Sequence, residues 1–300
     1  MKPQKPQNQK PKTLKLKKKR PEQEKSGRPE KSPRLEKSTR SEPVQHKPEK
    51  QRLQKYLAHH GLGSRREIET WITAGKIKVN GEIASLGSQV DFKDKIEIAG
   101  KLFKIHQPRN QKPGAVEKTK VIIYHKSAAE LCTKSDPEGR PTVFENLPRI
   151  RNKRWVMIGR LDCNTSGLLL FTDNGELAHR LMHPSYAIER EYAVRVLGSP
   201  SKQVLSNLKK GVELEDGIAK FETITAVGGT GINQWYHVTL KEGRNREVRR
   251  LWESQGLNVS RLIRVRYAFI QLPRFLKLGR WEELEEKEVK QLLNLVNMQA

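Results

Sequence analysis

Cysteine is scarce: Cys132 and Cys163 are the only two in 300 residues. Two thiols cannot build a disulfide framework or a structural zinc site, and no Cys/His cluster has metal-ligand spacing, so no metal is expected. Both read as packing residues of a chain kept in a reducing, cytoplasmic setting. No uninterrupted apolar run is long enough to span a bilayer. The basic N-terminus has no apolar core of the kind a secretory signal needs, so neither export nor a membrane partner is expected. Acidic residues are also short: 34 against 59 Lys and Arg, for a net charge of +25 and a pI near 10.1. That excess suits a polyanion whose binding depends on counterion release, which makes nucleic acid the first partner to consider.

Residues 1–50 hold eight of the sixteen prolines among Lys, Glu, Gln and Ser, with a basic run at Lys17-Lys18-Lys19-Arg20. Almost no apolar side chain is present to offset the entropy of ordering them, so this segment is expected to be a disordered, RNA-tethering tail. Pattern begins near Gln51. Leu53, Tyr56 and Leu57 recur at helical spacing until Gly61 and Gly63. Ser64 with Glu67 forms a capping box for a second helix, whose apolar face is Ile68, Trp71 and Ile72. Asn80-Gly81 then turns a short hairpin, and a further strand is expected near residues 95–98. Basic residues cluster here, among them Arg65, Arg66, Lys76 and Lys78, which are candidate RNA contacts.

Residues 107–118, with two prolines, a glycine and several charges, read as a linker. Beyond it, strands are expected at 121–124, 156–158, 168–172, 192–196, 236–240 and 263–270. Helices are expected at 176–182, 202–210, 245–254 and 281–296. This is an α+β pattern without regular βαβ alternation. Gly228-Gly229-Thr230-Gly231 reads as a hairpin turn, since it has neither the context nor the lysine of a phosphate-binding loop.

Three strings carry chemistry. Gly159-Arg160-Leu161-Asp162-Cys163-Asn164-Thr165-Ser166-Gly167 places one carboxylate and one guanidinium between two apolar strands, where the aspartate is expected to need donors or a cation. Tyr192 sits on an alternating strand. Glu242-Gly243-Arg244-Asn245-Arg246-Glu247-Val248-Arg249-Arg250 opens a helix with four arginines, while Val248, Leu251 and Trp252 commit one side of it to a core.

The segment from Arg52 to Val90, including Gly61-Leu62-Gly63-Ser64-Arg65-Arg66, resembles the S4 RNA-binding domain. Residues from about 120 to 272 resemble the catalytic domain of the RsuA-type pseudouridine synthases. The strings that carry this likeness are Asp136-Pro137-Glu138-Gly139-Arg140-Pro141, the Asp162 loop, Arg180-Leu181-Met182-His183-Pro184 and the helix through Arg250. The resemblance implies a small S4 domain at 51–106 and a synthase domain at 119–300, built on a mixed, mainly antiparallel sheet with flanking helices. It implies Asp162 as the catalytic carboxylate, Tyr192 as the active-site tyrosine and Arg249 as the cation paired with Asp162. Arg160 would hold the target nucleotide out of the stack, and Arg244, Asn245 and Arg246 would contact RNA. No cofactor is implied, because the isomerisation needs no redox change or group donor. The implied partner is 23S rRNA or a large-subunit assembly intermediate, met by a monomer. A small-subunit rRNA target and a non-catalytic rRNA-binding assembly protein stay open beside it. One departure is visible: where the family has a Lys-Pro-x-Gly turn, this chain reads Lys126-Ser127-Ala128-Ala129.

Overall fold

The computed structural model describes residues 50–91, 93–103, 118–151 and 153–299. The expected tail (all but its last residue) and linker (all but Lys118) lie outside these residues. The first module runs β1 (Gln51–Arg52), α1 (Leu53–His59), α2 (Arg65–Thr73), β2 (Ile77–Val79), β3 (Glu82–Ile83), β4 (Gln89–Val90), β5 (Ile96–Ile98) and β6 (Lys101–Phe103). The Ser64 hydroxyl accepts from the Glu67 N–H and the Glu67 carboxylate from the Ser64 N–H, so the expected capping box starts α2. Lys78 and Val79 pair with Ile83 and Glu82 around the Asn80-Gly81 turn. The four-stranded sheet β3-β2-β5-β6 packs with both helices around Leu53, Leu57, Ile68, Ile77 and Ile96, each wholly buried.

The larger domain follows with β7 (Val121–Lys126), β8 (Val156–Ile158), β9 (Ser166–Thr172), α3 (Gly175–Met182), β10 (Arg190–Leu197), α4 (Lys202–Lys210), β11 (Val212–Leu214), β12 (Gly217–Ala219), β13 (Thr223–Thr230), β14 (Asn233–Leu240), α5 (Glu247–Glu253), β15 (Asn258–Tyr267), β16 (Ile270–Gln271), β17 (Trp281–Glu283) and α6 (Glu286–Leu295). A nine-stranded sheet in the order β13-β14-β10-β15-β9-β7-β17, with β8 beside β9 and β16 beside β15, organises it. Its one parallel pair is β9 with β15. The fold is the expected α+β, with a mainly antiparallel sheet.

Strand β9 is buried along its whole length because the sheet is covered on both faces. Leu169 and Phe171 enter one core with Tyr124, Val194, Tyr236, Val238 and Trp252 of α5. Leu168 and Leu170 enter the other, beneath α3 (Leu177, Leu181) and α6 (Val289, Leu292). At about 1.5–3 kcal/mol per large apolar side chain buried, these four residues anchor the strand that follows the Asp162 loop.

Tertiary pairing moved several boundaries. Residues 281–283 are not helical: Trp281, Glu282 and Glu283 pair with Tyr124, Ile123 and Ile122 at the sheet edge, and a Glu285–Glu288 capping box starts α6 only afterwards. The strand expected at 263–270 starts earlier and breaks at Ala268, which takes a left-handed conformation. Helix α5 begins at Glu247 rather than 245, because Arg246 before it is also left-handed. Gly228 and Gly229 are not in a turn. They lie in β13, opposite Trp235 and Gln234 beyond a bulge, and the chain reverses at Gly231-Ile232. The hairpin β11–β12 was not anticipated.

Gly167 is where the sheet depends on a missing side chain. Its φ is +109°, and a Cβ there would lie 2.3 Å from the Arg264 carbonyl oxygen on the parallel neighbour β15. Gly167→Ala is therefore expected to lower stability by more than about 2 kcal/mol through backbone strain and loss of the β9–β15 contact. Denaturant unfolding of the two proteins checks this; equal midpoints would show that the strands can part at no cost.

Candidate active site

The loop from Gly159 to Thr165 leaves β8 and feeds β9. Its side chains alternate in fate: Arg160 is exposed, Leu161 enters the core, Asp162 is half-buried, Cys163 and Asn164 are exposed, and Thr165 is buried. Four successive backbone carbonyls, 162 to 165, all accept hydrogen bonds. Asp162 takes the Thr165 N–H at 3.0 Å, and Cys163 takes the Ala129 N–H at 2.9 Å. The Lys126 ammonium donates to Cys163 O at 3.1 Å and Thr165 O at 2.8 Å, and to its neighbour Ser127 O at 2.8 Å. Arg249 Nη2 donates to Asn164 O at 3.1 Å. The main chain is clamped, while the Asp162 carboxylate makes no hydrogen bond or ion pair among the described residues.

That last point corrects an expectation. Asp162 is not paired directly with Arg249. The Arg249 guanidinium, only 6% exposed, divides instead between Asn164 O and Val259 O at 2.8 Å on β15, leaving its buried Nε without a partner. Helix α5 sets it there, with Val248, Leu251 and Trp252 packed into the core. Burial, and then the charge of Arg246, push the Arg249 pKa below its ordinary value, while the Asp162 charge acts in the opposite sense. The Asp162 charge bears on Arg249 without a direct contact between the two.

Lys126 is the residue that sequence reasoning missed. It ends an apolar strand and is wholly buried, and burial pushes its pKa down while the charges of Cys132, Cys163, Glu130 and Asp162 oppose that shift. Its only sequence signal was the altered turn after it. Glu130, also buried, completes that turn by accepting the Ser127 N–H at 2.8 Å and the Tyr124 hydroxyl at 2.6 Å. Burial, followed by this bond to Glu130, raises the Tyr124 pKa.

Tyr192 lies two strands away. Lys126, Gly167, Arg264, Tyr192 and Val238 are successive partners across β7, β9, β15, β10 and β14, so one rung of the sheet carries both the loop support and the tyrosine. Tyr192 packs in the same core as Leu161 of the loop, and its hydroxyl has no partner among the described residues. Arg264, also unforeseen, is 2% exposed and donates to Leu168 O at 2.7 Å.

The other arginines at α5 divide. Arg244 reaches the carbonyls of Asp216, Gly217 and Ile218 and the Glu242 carboxylate, while Arg250 forms a two-pronged pair with Asp216 at 2.8 Å. Both secure the β11–β12 hairpin, so Arg244 is engaged by protein where an RNA contact was expected. Asn245 and Arg246 are exposed, the latter with a 3.4 Å contact to Glu253. In the first module Arg65, Arg66, Lys76 and Lys78 all face solvent.

This arrangement of an S4 module, a covered antiparallel sheet and an aspartate loop defines a class. The S4 domain model matches residues 51–96, and the model for the RNA pseudouridylate synthase family matches residues 120–254. The chain belongs to the S4-bearing, RsuA-type pseudouridine synthases, which are isomerases. Among its relatives, the ribosomal large subunit pseudouridine synthase B of Haemophilus influenzae is 56% identical over 258 residues, 85% of this chain and 71% of that protein. The protein of the same name from Escherichia coli K12 is 55% identical over 250 residues, 83% of this chain and 84% of its own. A crystal structure described as a pseudouridylate synthase shares the fold, with a TM-score of 0.55 at 24% identity, over 80% of this chain and 99% of that one.

Two outcomes test the clamp. Lys126→Met preserves volume but strips the donor from three carbonyls. Cys163 O keeps the Ala129 N–H, so two carbonyls are left unmet; at about 1–3 kcal/mol each, partly offset by no longer burying an ammonium, the net loss is expected near 2 kcal/mol by denaturant unfolding. Arg249→Ala should lower the single-turnover rate at saturating RNA at least about tenfold, as loss of charged hydrogen bonds implies. Because Arg249 grips a carbonyl and not the carboxylate, raising the pH should not restore that rate. A pH–rate profile in which the variant regains parental speed would instead establish pairing with Asp162.

Proposed function

We propose that this chain converts a uridine of 23S rRNA, free or in a large-subunit assembly intermediate, into pseudouridine, acting as a cytoplasmic monomer with Asp162 as its catalytic residue. The observation that carries this reading is a carboxylate with no partner among the described residues, mounted on a loop in which the carbonyls of residues 162 to 165 are all held. The large-subunit target is supported by the names of relatives that are 55–56% identical along most of the chain. The net charge of +25 suits a polyanionic substrate.

The reaction breaks the bond from N1 of the base to C1′ of the ribose, turns the base, and joins C5 to C1′. A proton leaves C5 and one is gained at N1, so atoms balance without an external donor. The uridine must first leave its stack, at a cost of a few kcal/mol. Arg160, exposed at the start of the loop, holds it out. Asp162 then attacks C6 or C1′, or takes a ribose proton; each route needs a free carboxylate at a fixed position. Tyr192 stacks on the base or carries the C5 proton with its hydroxyl, which has no partner among the described residues. Arg249 is a positioning residue that holds the loop at Asn164.

Asp162→Asn keeps size and removes charge. It should abolish pseudouridine formation in a 23S rRNA transcript while leaving RNA affinity within a few-fold of the parent. Measurable turnover by the folded variant would remove Asp162 from the chemistry. Failure of the parent to modify 23S rRNA, with modification of small-subunit rRNA instead, would move the target and keep the mechanism.

A further inference from the structure

Where the S4 module meets the catalytic domain, cations gather without acceptors among the described residues. The contact is tight at Gly61, where a Cβ would lie 3.1 Å from the Lys153 backbone. Beside it opens a cleft of about 290 Å³. Arg65 and Arg66 approach from the start of α2, and Arg154 and His179 from the catalytic domain, over an apolar floor that includes Val156 and Met182. No acidic residue lines it.

Arg154 is half-buried, yet its guanidinium makes no hydrogen bond or ion pair among the described residues. Arg65 makes none either. Burial, and next the charge of Arg65, push the Arg154 pKa down, and burial followed by the charge of Arg154 does the same to Lys134, on the segment after β7. Among the described residues, the acid whose charge reaches both is Glu67, and its carboxylate is already taken by the α2 capping box. A partly desolvated guanidinium beside two further cations is unfavourable by itself. A phosphate between them would supply the missing acceptor and relieve the repulsion together.

We propose that Arg65 and Arg154, with Lys134 nearby, form a phosphate clamp across the seam of the two folded modules, and that it grips the backbone of the RNA substrate. This rests on rRNA being the substrate, and it assigns to RNA binding two residues, Arg154 and Lys134, that lie outside the S4 module. A strand held there spans both modules, so binding would also stiffen the seam. The contact is to phosphate and carries no sequence information; it sets register for a uridine chosen elsewhere.

The test uses the full chain and an in-vitro transcript of 23S rRNA, with Arg154→Gln, Arg154→Lys and the Arg65→Gln/Arg154→Gln double variant. Affinity is measured across a salt series, and thermal stability is measured without RNA. Arg154→Gln should weaken binding about tenfold, the worth of one charged hydrogen-bonded contact. Its slope of log affinity against log salt should fall by about one, and further in the double variant. Arg154→Lys should recover most of both. Without RNA, Arg154→Gln should melt no lower than the parent, because it removes repulsion and no native bond. Parental affinity and salt slope in the double variant would overturn the clamp. So would a lower melting temperature with an unchanged slope, which would make Arg154 a structural prop. A parent that binds the transcript but does not isomerise it would defeat the functional reading alone, since the slopes would still judge the clamp.

Discussion

Four adjacent carbonyl groups, 162 to 165, need hydrogen-bond donors where the loop dives into a sheet covered on both faces, and much of the catalytic domain follows from how they are supplied. A buried carbonyl without a partner costs about 1–3 kcal/mol, so leaving these unmet as the loop enters the sheet would keep it from holding one shape. Besides the loop's own Thr165 N–H, the donors come from two regions far apart in sequence: the Lys126 ammonium and the Ala129 N–H at and after the end of β7, and Arg249 of α5. Each must be carried to the loop by the fold. The sheet order β15-β9-β7 delivers Lys126 and Val259 to either side of β9, and the packing of Val248, Leu251 and Trp252 aims Arg249 inward.

This support separates two tasks that a salt bridge would have merged. Pairing Asp162 directly with Arg249 would have held the carboxylate still while occupying its oxygens. Holding the main chain on both sides instead fixes the loop around Asp162 and leaves its oxygens without a partner among the described residues. The cost falls on the buried cations, whose ammonium and guanidinium sit in surroundings that disfavour their charge. That cost is met locally by neutral carbonyls and more distantly by the Asp162 charge.

The arginines around α5 show how little residue type alone says about role. Arg244 and Arg250 secure the β11–β12 hairpin through Asp216, Arg249 secures the loop, and Arg246 alone of the four remains largely in solvent. At the S4 seam the reverse holds: Arg154, in no conspicuous motif, is half-buried without an acceptor among the described residues. In a chain with so large an excess of cations, the informative ones are those whose surroundings leave them unanswered.

Much of the architecture could be read directly from the sequence because its signals are local. The Ser64–Glu67 capping box, the Asn80-Gly81 hairpin and the apolar run from Leu168 to Phe171 each act over a few residues. The likeness of the Asp162 string to a known family located the loop. Other features were decided only by tertiary contact. Trp281 to Glu283 have no apolar alternation and are a strand because β7 offers an open edge. Gly228 and Gly229 read as a turn in isolation but sit in a strand because β14 pairs with them. Lys126 looked like the end of a strand and Arg249 like the partner of Asp162. Their true acceptors are backbone carbonyls, which every residue possesses and no side-chain pattern reveals. The sequence determined that a carboxylate, a tyrosine and clustered cations would be present; which cation meets which oxygen was settled by the sheet order, because hydrogen bonds to the main chain depend on position and not on the identity of the residue that accepts them.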